Sequence, residues 1–138
     1  MKRFCKIFCA AVCMFSLFSC FAKQGKADGG SRGGFRSVSM SEGISLMGAL
    51  EDGQFVLLDV RRPDEFAQGH IPGARLLTNE TISAETVREQ FPDTAQPLFV
   101  YCRSGRRSKE AAQKLAALGY TNITEIGGIL DYAGELER

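Results

Sequence analysis

The sequence contains little of what metal sites and disulfide frameworks require. Among its 138 residues there is one histidine, His70, and only one of its five cysteines, Cys102, lies beyond residue 20. A metal site draws on several histidine, cysteine or carboxylate side chains at characteristic spacings, and the sequence has no such spacing. It also has no glycine-rich loop of the kinds that bind nucleotide phosphates or dinucleotides. We therefore expect no metal and no other cofactor.

The chain also lacks a strong net charge and a long apolar run. Its 17 basic and 16 acidic residues nearly balance, and no basic patch indicates nucleic acid as a partner. The apolar run at residues 7–19 is shorter than the roughly 20 residues that a membrane-spanning helix needs. These absences argue against a nucleic-acid-binding protein and against a membrane-spanning helix in this run.

Residues 1–20 have the pattern of a lipoprotein-type signal peptide. Three basic residues and no acid precede the apolar run, as in secretory signals. The run ends in Leu17-Phe18-Ser19-Cys20, which resembles the bacterial lipoprotein box, in which cleavage leaves the cysteine as the lipidated first residue. We expect lipid on Cys20 to hold the protein at the membrane, on the periplasmic side of a bacterial cell envelope. The alternative is ordinary cleavage after Ala22 without a lipid anchor.

A glycine-rich stretch, residues 21–37, separates this signal from the rest of the chain. Its glycines lie among small and charged polar residues that cannot build a core, so we predict a flexible tether. The remaining residues, 38–138, are enough for one domain with one hydrophobic core.

Strands and helices alternate along residues 38–138. The predicted strands, from apolar runs and from alternation, are Phe55–Val60, Arg75–Leu77, Leu98–Tyr101 and Asn122–Ile126. The predicted helices begin at Ser41, Pro63, Ser83 and Ser108, and a last short one follows the turn at Gly127-Gly128. This order predicts an α/β fold with a mostly parallel central sheet and helices on both faces.

Six residues lie between the strand Leu98–Tyr101 and the next helix: Cys102-Arg103-Ser104-Gly105-Arg106-Arg107. A thiol in this position faces backbone N–H groups and the positive end of the helix dipole. The dipole and the three arginines favour the thiolate, which is the nucleophilic form of cysteine. A buried structural cysteine would need neither the arginines nor the glycine. The loop is therefore predicted to hold a nucleophile inside an anion pocket.

A second polar segment, Asp59-Val60-Arg61, follows another predicted buried strand. The carboxyl ends of parallel strands meet at one edge of a sheet, where ligands bind. If the two strands are neighbours, Arg61 joins the loop arginines around the thiol of Cys102.

Three motifs, in this order, closely resemble the rhodanese family of sulfurtransferases. They are Asp59-Val60-Arg61 with Glu65-Phe66, Gly69-His70-Ile71-Pro72-Gly73-Ala74, and Cys102 to Ser108. Gly127-Gly128-Ile129 resembles the closing glycine pair of the family, with Tyr132 where many members have tryptophan. The resemblance spans residues 38–132. It implies a single rhodanese-like domain of the small periplasmic kind, acting as a thiosulfate sulfurtransferase.

The resemblance implies that Cys102 carries a sulfur atom as a persulfide. Its thiolate takes the outer sulfur of a donor such as thiosulfate, and cyanide, a small thiol or a protein thiol then removes that sulfur. Asp59 and Glu65 are expected to orient arginines, and His70 to support its turn rather than to act as a base. The groups expected to bind substrate are Arg61 and the loop residues Arg103, Ser104, Gly105, Arg106 and Arg107.

Two other functions fit parts of this pattern. A rhodanese-like domain that keeps its cysteine can serve a protein partner as a persulfide carrier or a sulfur sensor, without turnover. Cdc25-like phosphatases and arsenate reductases also use a cysteine loop with arginine, but their arginine would fall at position 108. Ser108 occupies that position, so the loop fits a sulfur atom better than a phosphate.

Overall fold

The computed structural model of the protein describes residues 34–138, and five short strands form its central sheet. They are β1 (Arg36–Ser37), β2 (Val56–Asp59), β3 (Arg75–Leu76), β4 (Leu98–Cys102) and β5 (Ile123–Gly128). Their order across the sheet is β1-β5-β4-β2-β3, and every neighbouring pair is parallel. Every residue of β2 and β4 is buried, as expected for apolar runs in a sheet covered on both faces.

Helices cover both faces of this sheet. They are α1 (Met40–Gly48), α2 (Pro63–Gln68), α3 (Ala84–Gln90) and α4 (Arg106–Ala117), with single turns of 3-10 helix at Asn79–Thr81 and Ile129–Asp131. Met40 and Met47 of α1 belong to the core on one face, and Val87 of α3 and Leu115 of α4 belong to the core on the other. The predicted α/β fold is confirmed.

The alternation of side chains along β4 determines the face of the sheet on which the Cys102 side chain lies. Phe99 and Tyr101 lie in the core with α1, whereas Leu98, Val100 and Cys102 lie in the core with α3 and α4. Successive residues of a strand point to opposite faces. Cys102 therefore lies on the face that α4 covers, and three residues separate it from the start of that helix.

The folded domain begins earlier than the predicted boundary at residue 38. Arg36 and Ser37, which the analysis of composition placed in the tether, form β1 and pair with Thr124 and Glu125 of β5. Both residues of β1 are exposed, so no apolar pattern marks this strand. Its place in the sheet comes from backbone pairing with β5 and from a side-chain hydrogen bond between Ser37 and Glu125.

Two helices also begin earlier than predicted. α1 is capped by Ser39, whose Oγ accepts a hydrogen bond from the backbone N–H of Glu42 at 3.2 Å, and it therefore begins before Ser41. α4 begins at Arg106, two residues before the predicted start, because Gly105 turns the chain directly into the helix. The last residues of the cysteine loop thus belong to the first turn of α4.

The glycine pair Gly127-Gly128 forms the last two residues of β5, so the strand ends two residues later than predicted. Gly127 has a φ of +86°, and the register between β4 and β5 shifts after Val100. An irregularity of this kind accommodates an extra residue without ending the strand. Only the single turn Ile129–Asp131 follows, instead of a longer last helix.

The predicted signal peptide, the predicted lipid site at Cys20 and residues 21–33 of the predicted tether lie outside the described residues. Those expectations remain predictions. Within residues 34–138, no helix is both long enough and apolar enough to cross a membrane.

Candidate active site

Cys102 is the last residue of β4, and only 1% of it is exposed. Its Sγ accepts a hydrogen bond from the backbone N–H of Gly105 at 3.0 Å. Gly105 has a φ of +96°, a left-handed conformation that glycine adopts at little cost, and α4 begins at the next residue. The thiol therefore lies at the positive end of the α4 dipole and in contact with a backbone amide.

The glycine pair of β5 packs directly against the cysteine loop. A Cβ atom on Gly128 would overlap the carbonyl oxygen of Arg103 and lie 2.6 Å from Cα of Ser104. The same carbonyl oxygen accepts a hydrogen bond from the backbone N–H of Leu130 at 3.3 Å. The missing side chain at Gly128 lets β5 approach the loop backbone and support its shape.

Ser108 is buried behind the thiol, and the sequence analysis assigned it no role in binding or catalysis. Its Oγ lies 3.6 Å from Sγ of Cys102, and it donates to Oε1 of Glu125 at 2.7 Å or to the carbonyl oxygen of Gly105 at 2.9 Å. The residue is completely inaccessible to solvent. Ser108 therefore connects the nucleophile to a buried carboxylate.

Glu125 is that carboxylate, and the sequence analysis did not identify it. It is 1% exposed and also accepts hydrogen bonds from the backbone N–H of Gly127 at 2.8 Å and from Oγ of Ser37. No basic residue within residues 34–138 forms an ion pair with it. Alternation along β5 puts Glu125 on the same face as the core residue Ile123, and this spacing was the available signal for an inward carboxylate.

Arg61 is buried against Asp59, as expected for an orienting pair. Its Nη2 lies 2.6 Å from Oδ2 of Asp59, and its Nε donates to both carboxylate oxygens. Nη2 also donates to the carbonyl oxygen of Gly69 at 2.8 Å. The hydrogen bonds of Arg61 thereby link the carboxyl end of β2 to the turn that follows α2.

A second ion pair joins α2 to the cysteine loop. Nη1 and Nη2 of Arg107 donate to the two carboxylate oxygens of Glu65 at 2.7 and 2.8 Å. This bidentate bond lowers the pKa of Glu65 to about 2 and raises the pKa of Arg107. The pair is less than one-fifth exposed, so water screens it only partly.

Replacing Glu65 by glutamine should reduce the free energy of unfolding at neutral pH by about 2 to 3 kcal/mol. The ordinary pKa of the group is 4.5 and the folded value is about 2. The stabilisation is therefore complete above pH 4.5 and is lost as the pH falls towards 2. Urea unfolding between pH 7 and pH 3 should show the difference from wild type shrinking below pH 4.5.

The control is Glu110→Gln, which breaks the exposed pair between Glu110 and Arg106. Exposed pairs contribute about 0.2 to 1 kcal/mol, so this variant should differ little from wild type at any pH. A Glu65→Gln difference that stays constant down to pH 3 would contradict the prediction.

The remaining loop residues face outwards. Arg106 is paired with Glu110 at 2.8 Å on the exposed side of α4, and Ser104 is exposed. Arg103 is also exposed, and within residues 34–138 it forms no ion pair. The structure therefore does not bring all of the predicted substrate-binding arginines together.

A cavity of about 310 Å³ opens beside the loop. Three of the predicted site residues, Arg61, Glu65 and Arg103, line it together, and Gln68, Gly69, Ile129, Leu130 and Leu136 complete its wall. The cavity thus combines guanidinium groups with an apolar side. Leu130 and Leu136 are the exposed large apolar residues of the described chain.

His70 lies in the turn after α2 and supports it. Its ring stacks on Phe66 with centroids 3.7 Å apart, and its Nδ1 lies 3.1 Å from the carbonyl oxygen of Phe66. Its backbone pairs with Glu137 near the end of the chain. These contacts fit the structural role expected for this residue.

No group of three or more histidine, cysteine or carboxylate side chains in the described part of the chain is placed to hold a metal ion. The groups assembled around the cysteine loop are a buried thiol, a buried carboxylate, backbone amides and guanidinium groups.

Known proteins share this fold. A family model for the rhodanese-like domain matches residues 45–135. A rhodanese with anions from E. coli is 31% identical, over 60% of this chain and 96% of its own, with a TM-score of 0.55. An uncharacterized protein from Saccharomyces cerevisiae is 29% identical, over 70% and 89%, with a TM-score of 0.59. A protein of unknown function from Rhodopseudomonas palustris, described as a possible tyrosine phosphatase, shares the fold at 24% identity, over 75% and 85%, with a TM-score of 0.63.

Proposed function

The chain belongs to the rhodanese family, and we propose that it is a sulfurtransferase that carries a sulfane sulfur on Cys102 as a persulfide. The observation that supports this most directly is the position of Sγ, 3.0 Å from the amide of Gly105 at the start of α4. Backbone amides and a helix dipole stabilise a thiolate before the reaction and a persulfide anion after it, as an oxyanion hole stabilises oxygen.

Thiosulfate is the donor that we propose. The thiolate attacks the outer sulfur, an S–S bond forms at Cys102, and the S–S bond of thiosulfate breaks as sulfite leaves with its electron pair. The negative charge on the two reactants equals that on the persulfide anion and sulfite. Arg103 and Arg61, which line the cavity beside the loop, present guanidinium groups that suit a departing oxyanion.

In the second half-reaction, the sulfur passes from Cys102 to an acceptor. Cyanide attacks the outer sulfur of the persulfide, thiocyanate leaves, and the Cys102 thiolate is restored. A small thiol or the thiol of a protein partner attacks in the same way. If only a partner removes the sulfur, the protein is a persulfide carrier or sulfur sensor, which is the second candidate function.

Phosphatase or arsenate reductase chemistry is a weaker alternative. Ser108 occupies the position at which those enzymes need an arginine, and it is buried against Glu125. A phosphate held there would meet a carboxylate instead of a guanidinium. The neighbour described as a possible tyrosine phosphatase is 24% identical and bears on the fold alone.

Intact mass spectrometry after incubation with thiosulfate tests the proposal. We expect a gain of one sulfur atom, about 32 Da, that is lost on adding cyanide. Repeated thiocyanate formation with excess thiosulfate and cyanide would identify an enzyme, and a single loading released only to a protein thiol would identify a carrier. Hydrolysis of p-nitrophenyl phosphate without sulfur uptake would overturn the proposal.

We also propose that the domain works at the periplasmic side of a bacterial envelope, held there by lipid on Cys20. The support is the pattern of residues 1–20 and the resemblance of Leu17 to Cys20 to a lipoprotein box. The mass of protein extracted from membranes should show an acylated N-terminal Cys20. An unmodified N-terminus at Lys23 would remove the anchor.

A further inference from the structure

We propose that Glu125 accepts the thiol proton of Cys102 through Ser108, and that it is thereby a positioning residue for the nucleophile. This inference rests on the proposed function, because it concerns how the same sulfur becomes a thiolate. The three side chains form a line from the end of β4, through the first turn of α4, to β5. Nothing in the family motifs that identify the chain includes the carboxylate of this line.

The direction of the hydrogen bonds follows from the acceptors around Ser108. Its hydroxyl has one hydrogen, and the possible acceptors are Oε1 of Glu125 at 2.7 Å and the carbonyl oxygens of Gly105 at 2.9 Å and Gly127 at 3.3 Å. A carboxylate is the strongest of these acceptors, and it is also the nearest. With its hydrogen held by Glu125, Ser108 presents a lone pair to Sγ of Cys102 at 3.6 Å. The thiol therefore has a defined proton acceptor.

The proton moves by two coupled transfers along this line. The S–H bond of Cys102 breaks as its proton bonds to Oγ of Ser108, and the original hydroxyl proton of Ser108 bonds to Oε1 of Glu125. The products are a thiolate, an unchanged serine and a neutral carboxylic acid. No group is oxidised or reduced, and the cluster carries one negative charge before and after the transfer.

This constancy of charge matters because the cluster is buried, with Cys102 and Glu125 each 1% exposed. A thiolate that formed beside an ionised Glu125 would place two buried anions close together, which is costly in a low-dielectric interior. Transfer of the proton to Glu125 removes that conflict.

The charged groups nearest to Cys102 do not replace this acceptor. Arg107 on α4 is paired with Glu65 on α2, and Arg61 after β2 is paired with Asp59. The other contacts of Glu125, from β1 and from the glycine pair of β5, are a hydroxyl and a backbone amide. Glu125 is thus the one carboxylate in residues 34–138 that is hydrogen-bonded to the serine behind the thiol.

Alkylation of Cys102 by iodoacetamide as a function of pH tests the inference without any sulfur donor. The full-length chain is used, and the tryptic peptide Glu89–Arg103, which contains Cys102 as its only cysteine, is followed by mass spectrometry. Glu125→Gln keeps the shape of the side chain but accepts no proton. We expect it to react at least about tenfold more slowly than wild type at pH 7. The gap should close to within about twofold at pH 9.5, because free cysteine loses its proton to solvent near pH 8.5.

Ser108 provides a second, independent pair of variants. Ser108→Ala breaks the line and should reproduce the defect of Glu125→Gln, whereas Ser108→Thr keeps the hydroxyl and should restore the wild-type pH profile. Glu110→Gln makes the same chemical change at a carboxylate that pairs with Arg106 on the exposed side of α4, so it should react like wild type at every pH. If Glu125→Gln fails to fold, the comparison of the two Ser108 variants decides the question.

Two results would overturn the inference: equal rates for Glu125→Gln and wild type at pH 7, or a gap that is the same at pH 7 and pH 9.5. Equal rates at pH 7 would mean that the backbone amide and the helix dipole ionise the thiol without a base. A gap that does not change with pH would mean that Glu125 only supports the structure. Failure of the proposed function gives a different result, in which no donor transfers sulfur while the alkylation profiles still differ as described.

Discussion

Replacing Cys102 by serine should abolish sulfur transfer and leave the fold intact. A serine hydroxyl is a far weaker nucleophile than a thiolate at neutral pH and cannot form a persulfide. Thiocyanate formation from thiosulfate and cyanide should fall by at least about 1,000-fold, to the background rate. The side chain ends β4 against α4 and is small, so we expect the free energy of unfolding to change by only about 1 kcal/mol.

The control is Cys20→Ser, which removes the proposed lipid site and leaves Cys102 in place. In purified full-length protein this variant should keep wild-type turnover and the gain of one sulfur. Wild-type turnover in Cys102→Ser would refute the proposed reaction. Loss of turnover together with unfolding would show that the change is structural. Alkylation of Cys102 in the folded wild-type protein would then test its role, and we expect it to abolish turnover.

Gly128→Ala should be the most damaging single-methyl change at the site. The added Cβ would overlap the carbonyl oxygen of Arg103 and lie 2.6 Å from Cα of Ser104. Both are backbone atoms of the cysteine loop, so the loop itself has to move. We expect a loss of about 2 to 4 kcal/mol in the free energy of unfolding and about a 100-fold loss of turnover.

The neighbouring residue provides the control. Gly127 has a φ of +86°, but a Cβ there would have no atom within 4 Å. Gly127→Ala should therefore cost about 1 to 2 kcal/mol through backbone strain and leave turnover within a few-fold of wild type. Urea unfolding and thiocyanate formation on both variants would show whether overlap with the loop, rather than strain in the glycine pair, decides activity. Equal turnover in the two variants would contradict this explanation.

The central strands and the cysteine loop were predictable because their signals are local. The apolar runs at Phe55–Val60 and Leu98–Tyr101 correspond to β2 and β4, and Cys102 ends β4 ahead of the turn into α4, as its neighbours indicated. β1 was missed because it consists of Arg36 and Ser37, two exposed polar residues that pair with the distant strand β5. Local patterns do not reveal a strand whose cause is backbone pairing with a distant segment.

The partners within the site were predictable only in part. Asp59 and Glu65 were expected to orient arginines, but Glu65 and Arg107 are 42 positions apart, and no spacing in the sequence links them. Glu125 was missed because a single acid in an alternating strand usually faces solvent. The structure turns it inwards because Ser108, Gly127 and Ser37 provide the donors that a buried carboxylate needs.

The pairing of arginines with acids has a consequence for how the site attracts its donor. Arg61 and Arg107 are each neutralised by a carboxylate, so among the described residues that line the cavity Arg103 is the one whose positive charge has no counter-ion in contact. A doubly charged donor therefore gains little from long-range attraction, and dissolved salt has little attraction to screen. If thiosulfate is the donor, its capture would therefore depend on short contacts at the cysteine loop more than on electrostatic steering.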